Sequence, residues 1–339
     1  MKKSLIALAV LAASGAAMAQ SSVTLYGSAD VNYTWDNVSG SGAKYRQNSG
    51  GLVGSRIGFR GVEDLGNGLK AGFVVETGYN VDSGTGSSTG LGNRQSFLSL
   101  AGGFGEVRFG KQYTLNDTFV GNYGGAFGGA WNNAASALTS NGARNQNAAT
   151  YISPNFSGFK VTGQIATKEA QSGDWTTPAG TTQKAPYSLG LDYANGPVGV
   201  GLTAGKNGAA GTKGLYQLGG SYDFGPVALL GAWEYDQNKD KKNTATIGAK
   251  VPFGATTLRI AYNYQQEAGR ASRGLYGSGF TAGGPSSGKI QGLGIGADYK
   301  LSKRSNVYAG ASYLKAKNDV FTGGKDTASQ VTAGFDHWF

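Results

Sequence analysis

Between Val23 and Asp36 apolar and polar side chains alternate without a break. Val23, Leu25, Gly27, Ala29, Val31, Tyr33 and Trp35 fall on one side; Thr24, Tyr26, Ser28, Asp30, Asn32, Thr34 and Asp36 fall on the other. A period of two is that of an extended strand, whose successive side chains point to opposite faces. The same rhythm predicts strands over Val53–Val62, Gly68–Tyr79, Asn93–Gly102, Glu106–Gln112, Asn147–Ser153, Phe159–Lys168, Ala185–Tyr193 and Val198–Lys206. It returns over Gly214–Phe224, Val227–Asp236, Lys242–Pro252, Thr256–Glu267, Lys289–Leu301, Asn306–Lys315 and Asp326–Phe339. The total is about sixteen, an even number within the range of bacterial membrane barrels.

The connections alternate in length. Asp64–Gly68, Gly103–Gly105, Asn195–Pro197, Gly225–Pro226 and Ser302–Arg304 read as tight turns. Between them lie long polar loops: Asn37–Gly50, rich in Gly and Ser, then Asn80–Gly92, Glu169–Lys184 and Ala268–Gly288. Short turns at one end and long loops at the other are the asymmetry of an outer-membrane barrel. In hydrocarbon every backbone N–H and C=O needs a partner within the protein, so strands cross a bilayer only by closing on themselves. Val331, Ala333, Phe335, His337 and Phe339 share one face of the last strand, placed to pair with the first. The predicted fold is an all-β, transmembrane, antiparallel 16-stranded barrel over residues 20–339.

One stretch breaks the rhythm. From Tyr113 to Gln146 glycines are scattered throughout, and no alternation is long enough to span. An insert of that length is usually functional or disordered. Its aromatics Phe119, Tyr123, Phe127 and Trp131 argue for ordered packing. The expectation is a segment folded into the barrel that narrows its channel.

Composition supports the same reading. Mean hydropathy is −0.28 with 39% hydrophobic residues, and no apolar run outside the first twenty residues is long enough for a membrane helix. A strand with one greasy and one wet face averages to such values. Lys2 and Lys3, the apolar run Leu5–Ala13 and Ala17-Met18-Ala19 have the form of an export signal, so residues 1–19 are expected to be removed. Without those two lysines, 28 basic against 20 acidic side chains leave the mature chain near +8. With no cysteine and a single histidine, His337, the sequence has neither a disulfide framework nor thiolate metal ligands. It offers little for a histidine-dependent active site, and no metal, cofactor or enzymatic activity is expected. No basic stripe interleaves with aromatics, so nucleic acid is not an expected partner.

The chain resembles the Gram-negative general porins, of the branch typical of β-proteobacteria. The resemblance rests on Ser21–Tyr33 (SSVTLYGSADVNY), Ser55–Glu76 (SRIGFRGVEDLGNGLKAGFVVE), Arg94–Tyr113 (RQSFLSLAGGFGEVRFGKQY), Gly124–Gly129 (GGAFGG), Tyr151–Phe159 (YISPNFSGF) and the terminal Phe339. It implies a homotrimer of sixteen-stranded barrels whose third loop folds inward, here Tyr113–Gln146. It also implies a terminal aromatic strand, with Phe335, His337 and Phe339, that serves as the signal for the barrel-assembly machinery. The surroundings would be outer-membrane lipid and lipopolysaccharide.

Candidate pore residues come from both arguments. Ile57 and Phe59 claim the lipid face, which turns Arg56 and Arg60 inward; Phe159 and Val161 do the same for Lys160, and Lys250 and Arg259 follow the same logic. A cationic side chain facing mid-bilayer lipid would cost roughly 2–4 kcal/mol. The resemblance singles out Arg56 and Arg94 as rungs of a basic wall. The family arginine after Ala-Thr-Tyr is replaced by Ile152, and Arg144 is the candidate for that rung. Facing them would stand Asp117, Asn122, Tyr123, Ala126 and Phe127; cation-preferring relatives carry Glu at the position of Ala126. The expected function is a water-filled channel for small hydrophilic solutes and ions that favours anions. The alternatives are arginines neutralised by Glu76, Glu63, Asp30 or Asp298, or a solute-specific channel in which Tyr123, Phe127 and Trp131 stack a sugar. The run of Lys239, Lys241 and Lys242 reads as a solvated loop tip.

Overall fold

The computed structural model describes residues 22–39, 42–87, 89–127, 143–167, 185–206, 213–237, 242–266, 288–317 and 327–339. The expected leader, residues 1–19, lies outside them. Seventeen strand segments make one antiparallel sheet. They are β1 Ser22–Val38, β2 Gly42–Ser49, β3 Arg56–Gly66, β4 Leu69–Gly78, β5 Gln95–Gly102, β6 Gly105–Tyr113, β7 Arg144–Ile152, β8 Phe159–Ala166 and β9 Tyr187–Asn195. Then come β10 Val198–Lys206, β11 Leu215–Asp223, β12 Ala228–Asp236, β13 Lys242–Phe253, β14 Thr256–Gln266, β15 Lys289–Lys300, β16 Ser305–Lys317 and β17 Thr327–Trp338. Among the described residues a single helix, α1 Leu115–Tyr123, stands between β6 and β7.

Seventeen segments make sixteen walls because β2 and β3 share one place. β1 pairs with β2 through Val31↔Ser49 to Val38↔Gly42, and with β3 through Ser22↔Val62 to Ser28↔Arg56. The Gly- and Ser-rich stretch expected to be a loop at Asn37–Gly50 therefore contains a strand. Its register partners show why alternation missed it: Lys44, Arg46 and Asn48 lie opposite the inward Asp36, Thr34 and Asn32, while Ala43, Gln47 and Ser49 leave Tyr45 alone as a large apolar residue on the other face.

The barrel closes by β1 pairing with β17, from Ser28↔Trp338 to Val38↔Ala328. Gly27 and Phe339 then exchange two backbone hydrogen bonds, both 3.1 Å. A side chain at Gly27 would put its Cβ 2.3 Å from the Phe339 ring, so only glycine leaves room for that ring over the seam. Every strand except β2, which pairs with β1 alone, has a partner strand on both sides, which satisfies the backbone across the bilayer without water.

The two faces separate as alternation requires. Ser28, Asp30, Asn32, Thr34 and Asp36 are buried on the inner face of β1, whereas Val23, Leu25 and Tyr33 are exposed outside. On β14, Leu258, Ile260 and Tyr262 face out while Ala261 and Asn263 are buried within. At one end the strands join by tight turns; at Gly66-Asn67-Gly68 all three residues have positive φ (86°, 52° and 77°), a conformation suited to Gly and Asn.

The break between β2 and β3 is built around Asp30. Its fully buried carboxylate accepts from the amides of Gly51 (3.0 Å), Leu52 (2.7 Å) and Val53 (2.8 Å) and from the Tyr308 hydroxyl (2.6 Å). Four donors replace the water this charge gives up. Asp30→Ala strands those donors, and we expect a loss of roughly 3 kcal/mol or more. A lower midpoint of heat unfolding on unheated-versus-heated gels measures it; an unchanged midpoint would show that the bend holds without its carboxylate.

Candidate pore constriction

After β6 the chain turns into the barrel and forms α1. Thr114 caps it, its hydroxyl accepting from the Asp117 amide at 3.1 Å, and the Asp117 carboxylate favours the positive end of the helix. Gly124 ends it, donating to the Val120 carbonyl at 2.8 Å. The insert expected to be without regular structure thus begins as a helix. The Thr-x-x-Asp spacing was the signal for it.

The helix lies flat on the wall because that wall lacks side chains. Gly201 on β10 and Gly219 on β11 are register partners, and Ala232 on β12 continues the row. A Cβ on Gly201 would stand 2.2 Å from the Tyr123 ring; one on Gly219 would stand 2.7 Å from Tyr123 and 2.9 Å from Phe119. Phe119, Val120, Tyr123 and Ala232 pack together on this bed. Polar contacts pin the same side: Asn116 donates to Gln217 (3.0 Å), Gln217 to Glu234 (2.9 Å), and Lys242 pairs with Glu234 (3.4 Å). Beyond the helix, Ala126 and Phe127 pack with Ala261, Tyr308 and Leu52, and Arg259 donates to the Ala126 carbonyl at 2.8 Å while pairing with Asp298 at 2.5 Å. A Cβ on Gly248 would meet the Ala126 amide at 2.9 Å. The described part of the insert therefore runs along the lumenal wall from β9 to β16.

Across the lumen, three arginines gather. Arg94 Nε pairs with Glu76 at 2.7 Å, and its Nη2 donates to the Tyr113 hydroxyl at 2.7 Å. Arg144 donates to the same hydroxyl at 2.9 Å with its guanidinium 4.4 Å from the ring centroid. Arg56 reaches Glu76 at 3.9 Å, donates to the Gly54 carbonyl at 2.8 Å and lies 5.8 Å from the Trp338 ring. Arg60 stands one ring further on, 5.3 Å from Tyr26, whose hydroxyl donates to Glu76 at 3.1 Å. The side chains of Arg56 and Arg94 are 18% and 16% exposed against 3% for Glu76, so the cations face the channel and the shared carboxylate sits behind them.

Arg94 joins this group through a slip in the ladder. Glu76 is in register with Gln95, yet its carbonyl accepts from the Arg94 amide at 3.0 Å. Two residues oppose one, and such a slip re-aims a side chain. Strict alternation would have put Arg94 on the face of Ser96 and Leu98.

Other sequence candidates lie elsewhere. Lys160 is exposed one residue into β8, beside a short turn and opposite Asp192, away from the arginines. Glu63 shares the outward parity of Ile57 and Phe59. Asn122 is exposed on α1, whereas Tyr123 (6%) and Phe127 (3%) are turned into the wall, so neither offers a ring face for a sugar. Trp131 lies outside the described residues. Phe335 and Phe339 are half-exposed on the outer face, and His337 is hydrogen-bonded to Ser305 at 2.9 Å. Lys242 is buried against Glu234 instead of standing at a solvated tip; Lys239 and Lys241 lie outside the described residues. Sequence reasoning also missed Tyr113 as the hub of two arginines and the bed of Gly201 and Gly219, which stand at near-equal distances from the ends of the adjoining strands, five residues before Lys206 and four after Leu215.

A closed antiparallel barrel, apolar outside and polar inside, with a segment seated along its lumen, is the architecture of an outer-membrane channel. The chain belongs to the Gram-negative porin family, which it matches over residues 5–319. Outer membrane porin protein 32 of Delftia acidovorans is 43% identical over 213 residues, and major outer membrane protein P.IB of Neisseria meningitidis serogroup B is 38% identical over 206. Those matches cover 60% and 58% of this chain, and 59% and 56% of the relatives, less than two thirds of their length. The anion-selective porin from Comamonas acidovorans superposes with a TM-score of 0.75 at 28% identity, over 94% of this chain and 100% of that one. Salmonella typhi OmpF shares the fold, with a TM-score of 0.69 at 17% identity over 94% and 97% of the two chains. Family and relatives place the protein in the Gram-negative outer membrane.

The glycine bed makes a steric prediction. In Gly201→Val the new side chain occupies the place of the Tyr123 ring, an overpacking that costs roughly 1–3 kcal/mol. We expect α1 to lift into the lumen and single-channel conductance to fall, with Tyr123→Ala in the same chain restoring it. Unchanged conductance in Gly201→Val would mean that the helix does not set the opening.

Proposed function

We propose that the protein is a diffusion channel for small hydrophilic solutes that favours anions, with the constriction set between α1 and the wall of Arg56, Arg94 and Arg144. The carrying observation is the charge balance of that wall. Three guanidiniums gather around one carboxylate, which Arg56 and Arg94 reach and Arg144 does not, 3 − 1 = +2, and the second hub, Tyr113, carries no formal charge. The insert adds little to oppose this, since Asp117 is the only acid between Tyr113 and Gln146. Fixed positive charge beside low-dielectric walls concentrates anions and repels cations. The anion-selective relative from Comamonas acidovorans supports the same reading.

Arg60 extends the positive wall toward the end with the short turns, and Lys160 serves at that mouth. Asn122 faces the channel from the helix, while Tyr123, Ala126 and Phe127 position it. Homotrimer assembly belongs to the proposal; OmpT of Vibrio cholerae, of the same fold, is described in a trimer form. Removal of residues 1–19 and recognition of Phe335, His337 and Phe339 by the assembly machinery complete it. The aromatic-slide alternative has no support from Tyr123 and Phe127.

Zero-current potentials across planar bilayers in a salt gradient test the charge argument. A guanidinium about 5 Å from a permeating ion in a water-like dielectric is worth about 0.8 kcal/mol, roughly fourfold in local concentration. Arg56→Ala with Arg94→Ala should lower the chloride-over-potassium permeability ratio at least that much, and Glu76→Gln should raise it. Cation preference in the native protein, or an unaltered ratio in the double variant, overturns the assignment.

A further inference from the structure

Between α1 and the lumenal wall of β5 to β10 lies a cavity of about 160 Å³. Its floor is kept shallow by a row of register partners, Thr162 on β8, Gly190 on β9 and Thr203 on β10. Gly190 shows that this space is not a by-product of seating the helix. A Cβ on Gly201 or Gly219 would strike the helix rings, whereas one on Gly190 would meet Leu115 at 3.5 Å, an ordinary contact. The wall has room for a side chain here and carries none.

Polar atoms without partners line the space. Gln112 donates from its amide nitrogen to the carbonyls of Arg108 and Ala148, 3.2 Å each, which leaves its Oε1 for the cavity. The Thr162 and Thr203 hydroxyls and the Gln95 carboxamide form no hydrogen bond among the described residues. Donors and acceptors spread along a floor match a peptide backbone, each unit of which carries one N–H and one C=O. Leu115, Phe119 and Ile152 give the cavity an apolar side.

Two charges face the cavity, one cation and one anion. Arg108 binds Glu106 through Nε and Nη2, at 2.8 and 2.9 Å, and keeps Nη1 free, its guanidinium 5.2 Å from the Phe97 ring centroid. Asp192 accepts one long hydrogen bond, 3.5 Å from the Tyr123 hydroxyl to Oδ1, and keeps Oδ2. Lys160 lies opposite it in register without forming an ion pair. Arg108 stands three residues after Gly105 and Asp192 three before Asn195, at similar heights above the short turns. The two strands are three places apart, roughly 19 Å along a wall of strands about 4.8 Å apart and tilted near 40°. The inward curve of the wall and the reach of Arg108 shorten that gap toward the roughly 7–10 Å spanned by two or three extended residues. A single amino acid is too short to touch both charges.

We propose that this cavity is a binding subsite for short zwitterionic peptides of two or three residues. Arg108 takes the carboxylate, Asp192 the ammonium, and Gln112, Thr162 and Thr203 the amides between them. A simple anion drawn to Arg108 is opposed by Asp192, so the subsite differs from the arginine wall, whose charges do not cancel. It rests on the lumen being open to solutes and not on the sign of the channel's selectivity.

The test titrates trialanine against the full protein refolded in detergent, followed by saturation-transfer NMR of the peptide. N-acetyl-trialanine and trialanine amide serve as probes that each lack one charge. Native protein should hold trialanine roughly tenfold more tightly than either probe or than alanine, the effect of one charged hydrogen bond. Asp192→Asn should weaken trialanine about tenfold and leave N-acetyl-trialanine unchanged, while Arg108→Gln should weaken trialanine about tenfold and leave the amide unchanged. A gel shift between unheated and heated samples verifies that each barrel has formed. Equal affinity of the native protein for trialanine and N-acetyl-trialanine overturns the subsite, because the peptide would then be bound as an anion at the arginine wall. Equal trialanine binding by native protein and both variants overturns it as well. Zero-current potentials read the arginine wall separately, so failure of one proposal leaves the other standing.

Discussion

The absence of water in the bilayer core dictates everything else in this molecule. An unpaired backbone amide or carbonyl there costs several kcal/mol, so the sheet has to close, and the chain's two described ends meet at the seam of Gly27 and Phe339. Closure creates an inside, and alternation then assigns each side chain to lipid or to lumen with no further instruction. Because the strands have met the backbone's demands, the inner face is free to hold groups too polar for a hydrocarbon core. The fully buried Asp30, with its four donors, is the clearest case.

A hollow barrel of sixteen walls is wider than a selective channel needs, and the insert corrects this at low cost in packing. Its helix does not hang in the lumen; it fills a strip from which β10 and β11 have removed their side chains. Glycine weakens a strand interior, so a cross-strand pair such as Gly201 and Gly219 needs a compensating contact, and the rings of Tyr123 and Phe119 supply it. The same seating leaves the opposite wall open, where the arginines stand. Their shared use of Glu76 and Tyr113 holds three like charges close together without cancelling them. A carboxylate for each arginine would have given a rigid wall with little field.

Alternation reveals a residue's face but not its height or its phase after a slip. Arg56 and Lys160 both read as inward, yet one joins the arginine group and the other stands beside a turn; nothing in a period of two separates them. Arg94 reads as outward within its strand and is turned inward by the slip at Glu76. The family resemblance found it where periodicity could not. β2 escaped notice because hydrophobic contrast vanishes where a strand rises clear of lipid. The helix was missed for the opposite reason: its cap was written in Thr114 and Asp117, but the surrounding glycines drew the reading toward irregular chain. The buried state of Tyr123 and Phe127 depends on a wall contributed by strands some eighty residues and more away, which no local pattern reports.

Alternation also makes the two surfaces separable. Ile290 and Lys289 are neighbours in sequence, yet one belongs to the interior and the other to the lipid boundary, with the thickness of the sheet between them. A change on one face leaves the other's chemistry untouched so long as the ladder holds. In a helical membrane protein, neighbouring residues share faces over an arc and such independence is harder to obtain. Here the lumen and the lipid boundary are lined by alternate residues of the same strands.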